Sequence, residues 1–178
     1  MRKVVALTAA FAATIPAANW LIGNIGTECI PNGPCVIPVG FGLSAPSGVL
    51  MIGAALVLRD MVQEAGGVRA ALAAIAIGGV VSWFVAPPAL VLASVAAFLL
   101  AELADLAVYT PLRERRLGLA VLASGIVGSI IDSGVFLWMA FGSLGFIEGQ
   151  ILGKLWMSLV AFGVLSIRQQ LNSGRATS

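Results

Sequence analysis

Nine of the ten basic residues in this chain fall into four short stretches separated by long apolar runs: Arg2 and Lys3; Arg59 and Arg69; Arg113, Arg115 and Arg116; and Arg168 and Arg175. The intervening connections, around residues 26–41, 86–88 and 142–149, contain no Lys or Arg. A basic bias that changes side at every apolar run is the positive-inside signature of a polytopic membrane protein. The pattern predicts an all-α membrane protein with six transmembrane helices, at about 4–24, 44–64, 68–86, 88–110, 118–141 and 148–167. Both termini are expected on the cytoplasmic side of a cytoplasmic (inner) membrane.

Composition leads to the same class. A chain that is 60% hydrophobic and 10% charged, with a mean hydropathy of +1.03, has too few charges to cover a water-facing surface, since soluble domains carry roughly 25%. Six spans of about 20 residues consume nearly all of the 178 residues, so a single membrane domain is expected with no soluble one beside it. The net charge of +2 is spread over the connections with no stacking platform beside it, so nucleic acid is not an expected partner. The opening Met-Arg-Lys and the small residues Ala17-Ala18-Asn19 resemble a cleavable signal. The apolar run continues through Trp20, Leu21 and Ile22, and it is read as a retained first helix.

The stretch 25–43 is read as an extracytoplasmic loop, whose apolar later part dips back toward the helices. It holds both cysteines, Cys29 and Cys35. On an oxidising side of the membrane a small disulfide across the Pro-Asn-Gly-Pro turn is physically sensible, with a pair of free thiols as the alternative. The chain has no histidine, so two cysteines do not complete a metal site, and neither metal nor cofactor is expected.

Function is sought among charges that the membrane must accommodate. Asp132 lies about 14 residues into the fifth predicted span, and Lys154 about six residues, or roughly 9 Å, inside the outer end of the sixth. Adjacent antiparallel helices bring the two to similar depths, and they are expected to pair or share a solvated cavity. Left alone, each would cost at least about 2.5 to 3.5 kcal/mol. Nearer the cytoplasm, Glu102 and Asp105 share one face of the fourth span, while Asp60 and Glu64 share a face of the second beside Arg59. Arg59, Asp60, Glu64 and Asp105 are the expected residues for gating or ion coupling, and Glu102 beside them is a candidate substrate contact. Asn19, Ser129 and Trp138 are candidate contacts of lower specificity; interfacial belts are the commoner role of membrane tryptophans. Gly125, Gly128 and Ser129 have the small-xxx-small spacing that lets helices approach. Neither a phosphate-binding loop nor a Ser-His-Asp set is present, so nucleotide hydrolysis and membrane hydrolase chemistry are not expected; the chain reads as a non-enzyme.

Several of these segments resemble one family. Arg59-Asp-Met-Val-Gln-Glu-Ala-Gly-Gly67 is similar to the Asp-x-x-x-Glu-x-x-Gly segment of the vitamin uptake transporter (VUT) family, the queuosine precursor transporters. The run from Ala101 through Glu102, Asp105 and Tyr109 to Arg113 resembles its fourth-helix pattern, the stretch around Ser129 and Asp132 its fifth-helix segment, and Lys154 its last-helix lysine. Glu102 and Ser129 stand where the family carries glutamine. The resemblance implies uptake of a 7-deazaguanine precursor of queuosine, in the 7-cyano or 7-aminomethyl form. For such a ligand Glu102, then Asp132, would accept adjacent ring N–H groups, Lys154 would donate to the ring carbonyl, and Asn19 would add a two-way hydrogen bond. The expected partners are that small molecule and the lipid bilayer, with homo-oligomerisation left open. A substrate-binding subunit of an energy-coupling-factor transporter and a non-transporting membrane structural protein are the alternative readings.

Overall fold

The computed structural model describes residues 1–31 and 34–176. Five helices and a small sheet follow one another along the chain: α1 (Arg2–Asn24), β1 (Glu28–Cys29), β2 (Cys35–Gly40), β3 (Leu43–Pro46), α2 (Val49–Val85), α3 (Val91–Arg113), α4 (Leu117–Phe141) and α5 (Ile147–Ala176). Helices α1 to α4 are each long and apolar enough to cross a membrane. With many large apolar side chains facing outward, among them Val80, Leu92, Ile130 and Val160, the protein is a multi-pass membrane bundle.

The predicted second and third helices, 44–64 and 68–86, emerge as the single element α2, 37 residues long. An unbroken helix of that length would span about 55 Å, against a hydrocarbon core of about 30 Å. It is not unbroken: Gly67 leaves helical geometry at φ 75° and ψ −179°. Packing shows what happens there. A methyl group added at Gly48 would lie 2.5 Å from the Ala18 carbonyl, and one at Gly66 would lie 3.0 Å from Val4, so the first limb of α2 runs antiparallel to α1. A methyl at Gly78 would lie 3.0 Å from Phe11, so beyond Gly67 the chain returns along α1. Straight continuation would instead carry Gly78 about 18 Å past Gly66. One glycine in a backbone conformation closed to other residues therefore does what a loop was expected to do. Phe11 sits at the centre of the result, buried against Ala55 and Val62 of the first limb and Ala74 of the second, with Phe98 of α3 beside it.

The all-α expectation needs a second correction, at 25–43. This stretch opens a three-stranded antiparallel sheet in the order β1-β2-β3, with a bulge between Pro38 and Gly40. Cys29 stands opposite Cys35 in the ladder and the two are joined by a disulfide; Asn32 and Gly33 of the expected turn lie outside the described residues. The sheet is tied down on the helix ends. Val39 and Ala45 are buried against Val49, Leu50 and Leu152, the Trp156 indole N–H donates to the Val39 carbonyl at 2.7 Å, and the Ser47 hydroxyl donates to the Leu21 carbonyl at 2.8 Å. Gly149 admits the Ser44 backbone, since a methyl there would lie 2.2 Å from its oxygen. Alternating Val and Pro residues gave no helical period, and contacts with α5, over a hundred residues on, decide the pairing.

Pro88–Leu90 forms a 3-10 turn ahead of α3, which begins at Val91 and not at 88. The helix also runs on past 110, taking Pro111 into its last turns, where the Thr110 hydroxyl donates to the Leu106 carbonyl. Because Gly67 alone reverses α2, Gly67→Ala is expected to lower stability by about 1 to 3 kcal/mol. Gly23→Ala, in a helix position with open space around it, should be neutral or stabilising by up to about 1 kcal/mol. Thermal unfolding of both variants in detergent measures the difference.

Candidate functional site

One half of the bundle is organised around Arg59, whose side chain is completely buried. Its guanidinium spends its donors on three helical turns. Nε donates to Oε2 of Glu102 at 3.1 Å, Nη2 to Oδ2 of Asp105, and Nη1 to Oε1 of Gln63 at 3.3 Å, with Asp60 Oδ1 2.8 Å away. The planar group also lies over the Tyr109 ring, 5.7 Å from its centroid. The fork geometry of arginine makes this arrangement feasible, because five fixed N–H directions reach partners on different helices at once. Acceptors still outnumber donors. One cation faces three carboxylates, and Oδ1 of both Asp60 and Asp105 receives no hydrogen bond among the described residues.

Each partner arrives by ordinary helix geometry. Arg59 and Gln63 are one turn apart on α2, and Glu102, Asp105 and Tyr109 follow one another down one face of α3. Gln63 then extends the network: its amide donates to the Thr110 hydroxyl at 2.9 Å, and its backbone carbonyl accepts from Arg113 at 3.3 Å. From α4, Ser124 donates to Asp60 at 3.4 Å, and Gly128 allows close approach, since a methyl there would meet Asp105 at 3.2 Å.

A second cluster lies toward the sheet. Lys154 of α5 is fully buried and its ammonium makes three hydrogen bonds, to Asp132 at 2.6 Å, Ser133 at 2.6 Å and Gln150 at 3.3 Å. That number matches its three N–H donors. Gly53 of α2 makes the placement possible: a methyl at this position would lie 2.6 Å from the Lys154 carbonyl, so α2 presses directly on the α5 backbone.

The structure thus brings together Arg59, Asp60, Glu102 and Asp105 in one cluster, and Asp132 with Lys154 in the other. Ser129 is fully buried between them on α4. Three expected residues lie elsewhere. Glu64 is 53% exposed and faces only Arg113, at 3.6 Å, because it projects from the end of the limb, away from the face that carries Arg59. Asn19 donates its amide to Ile15 of its own helix. Trp138 is 65% exposed on the outer face of α4, as Trp20 and Trp83 are on α1 and α2, where an amphipathic ring suits a membrane interface. Sequence reasoning missed Gln63, Tyr109, Ser124, Ser133 and Gln150. Gln63 and Gln150 each sit four residues from a charged residue on the same helix, and that spacing was the available signal.

No curated protein and no solved structure matches the chain. The model of the family described as "Putative vitamin uptake transporter" matches residues 79–167, or 89 of the 178 residues. The chain belongs to the vitamin uptake transporter family. The matched half contains Glu102, Asp105, Asp132 and Lys154, whereas Arg59 and Asp60 come from outside it. Glu102 and Asp105 of the matched half are held by a cation from the first limb of α2, whereas Asp132 is held by Lys154 within that half. Vitamin uptake transporters carry solutes across membranes, which agrees with four long apolar helices enclosing buried charge.

Pairing predicts a non-additive mutational response. Lys154→Met alone strands Asp132 and should cost about 3 to 5 kcal/mol. Combining it with Asp132→Asn should recover a large part of that loss. Melting of the two single variants and the double variant in detergent gives the coupling directly, and additive losses would contradict the pair.

Proposed function

We propose that this vitamin uptake transporter imports a 7-deazaguanine precursor of queuosine, the 7-cyano or 7-aminomethyl form, across the cytoplasmic membrane. In this reading the bundle crosses six times, as α1, the two limbs of α2, α3, α4 and α5, with both termini inside. Supporting that orientation, Gly66 packs on Val4 while Arg113 reaches the Gln63 backbone, which gathers the basic connections at one end of the bundle. The disulfide-bearing sheet lies at the other end, where an oxidising compartment suits it.

The observation that carries the reading is the concentration of fully buried charge at two depths of an otherwise apolar bundle. Intramembrane ionisable residues at this density mark a solute path more readily than a packing device. A guanine-like edge offers adjacent N–H donors that one carboxylate accepts together, and Glu102 is the proposed acceptor. Arg59 holds Glu102 while no substrate is bound; the substrate's N–H groups would take over part of that role. Asp132 and Lys154 form the outer contact, with Asp132 accepting and Lys154 donating to the ring carbonyl. Ser129 lies between the two sets. Arg59, Asp60 and Asp105 then act as an inner gate, whose ion pairs part when the base passes. Asn19 and Trp138 stand outside the proposed binding set, and Glu64 outside the gate.

The test is uptake, followed by mass detection of both bases, in cells that cannot synthesise deazaguanines. Expression of the chain should confer uptake, and Glu102→Gln should reduce it by about tenfold or more at equal protein level, the effect of losing one charge-assisted hydrogen bond. Unchanged uptake by Glu102→Gln would remove Glu102 from the site. Uptake that appears only when ATPase subunits are co-expressed would assign the chain to the energy-coupling-factor class.

A further inference from the structure

Two hydroxyl groups on the seam between α4 and α5 have no partner. Ser129 and Ser158 are both fully buried, and neither Oγ makes a hydrogen bond to any described residue. Their positions are related. A methyl group at Gly125 would lie 2.2 Å from Ser158 Oγ, so the Ser158 hydroxyl is aimed across the seam at α4. Ser129 is one turn along α4 from Gly125, and the next turn is Ser133, which accepts a bond from Lys154. On α5, Lys154 is likewise one turn from Ser158. Next to Gly125, Ser124 donates to Asp60 of the Arg59 cluster. The vacant pair therefore sits between the two charged clusters, on the shortest route from one to the other.

Packing accounts for small residues at these places but not for hydroxyls. Gly and Ala serve a close helix seam as well as Ser does, and a buried hydroxyl without a partner is a rarity that destabilises the protein holding it. A serine within a helix ordinarily satisfies itself on the carbonyl four residues earlier. Ser129 and Ser158 do not, whereas Thr110 on α3 does. We infer that Ser129 and Ser158 form a solute-binding station that is paired only when a ligand parts α4 from α5. It takes a planar heteroaromatic molecule whose edge carries both hydrogen-bond donors and acceptors.

Each hydroxyl both donates and accepts, which matches an alternating edge and not an ion or an apolar ring. One turn outward, the Lys154 ammonium is placed to donate to a ring carbonyl and Asp132 to accept a ring N–H. The inference deepens the transport reading and rests on it for the ligand, while the lack of a protein partner for either hydroxyl among the described residues stands apart from that reading.

Melting temperatures and ligand affinities of Ser129→Ala and Ser158→Ala test both parts, with Ser133→Ala as the comparison and 7-cyano-7-deazaguanine and 7-aminomethyl-7-deazaguanine as probes. Removing an unpaired hydroxyl should raise Tm of the free protein by about 2 to 4 °C, whereas Ser133→Ala, which takes an acceptor from Lys154, should lower it. Each of the two vacant-site variants should weaken Kd by about 3- to 10-fold. If Ser129→Ala and Ser158→Ala destabilise the free protein as Ser133→Ala does, the hydroxyls are structural and the inference falls. It falls equally if wild type binds a probe and both variants bind it with unchanged Kd. A wild type that binds neither base refutes the deazaguanine reading, and the Tm shifts still decide whether the hydroxyls are vacant.

Discussion

A buried guanidinium surrounded by carboxylates is the interaction on which the inner half of this bundle depends. Removing an arginine and three acids from water carries a desolvation penalty of several kcal/mol per ion, which only close and well-directed pairing offsets. Arg59 meets that demand by reaching its own helix and α3 together, with Tyr109 beneath it and Ser124 of α4 on the far side of Asp60. Lysine has neither the planar fork nor the weak hydration that this environment requires. Helices that would otherwise have no reason to associate in lipid, where apolar surface gains nothing from contact, are joined by this one side chain.

Glycines set how closely the remaining helices approach, and three of these approaches coincide with a polar residue. Gly53 lies on the Lys154 backbone, Gly125 against Ser158, and Gly128 against Asp105. Short interhelical distances bring the charged groups within hydrogen-bond range and keep water out, which strengthens each pair. The same arrangement leaves acceptors and hydroxyls over, on Asp60, Asp105, Ser129 and Ser158. A bundle that satisfied every group would be more stable, and it would have nothing to offer a passing solute. The Asp60 and Asp105 oxygens belong to the Arg59 cluster, and the Ser129 and Ser158 hydroxyls lie on α4 and α5.

At the opposite end from the basic connections the sheet acts as a clamp over the ends of α1, α2 and α5. Its attachment is through side-chain bonds from Ser47 and Trp156 and through the packing of Val39 and Ala45, while the Cys29–Cys35 link closes its edge. Trp156 and Gly153, which meet the sheet, lie on the same helix as Lys154, so the sheet and the Lys154–Asp132 pair share one element.

Membrane residence, the existence of most helices and the identity of the charged residues were legible in the chain because hydropathy and the distribution of Arg and Lys are local properties. So was the pairing of Asp132 with Lys154, which follows from antiparallel neighbours of known rise per residue. The roles within the inner cluster were not. Nothing local distinguishes Arg59, fully buried at its centre, from the other arginines beside connections, and Glu64 differs from Asp60 in lying one turn nearer the end of the limb. The tertiary structure decided these points, together with the sheet at 28–46, because each depends on contacts between residues far apart in the chain. Helix periodicity places a side chain on a face; only the packed bundle determines what that face meets.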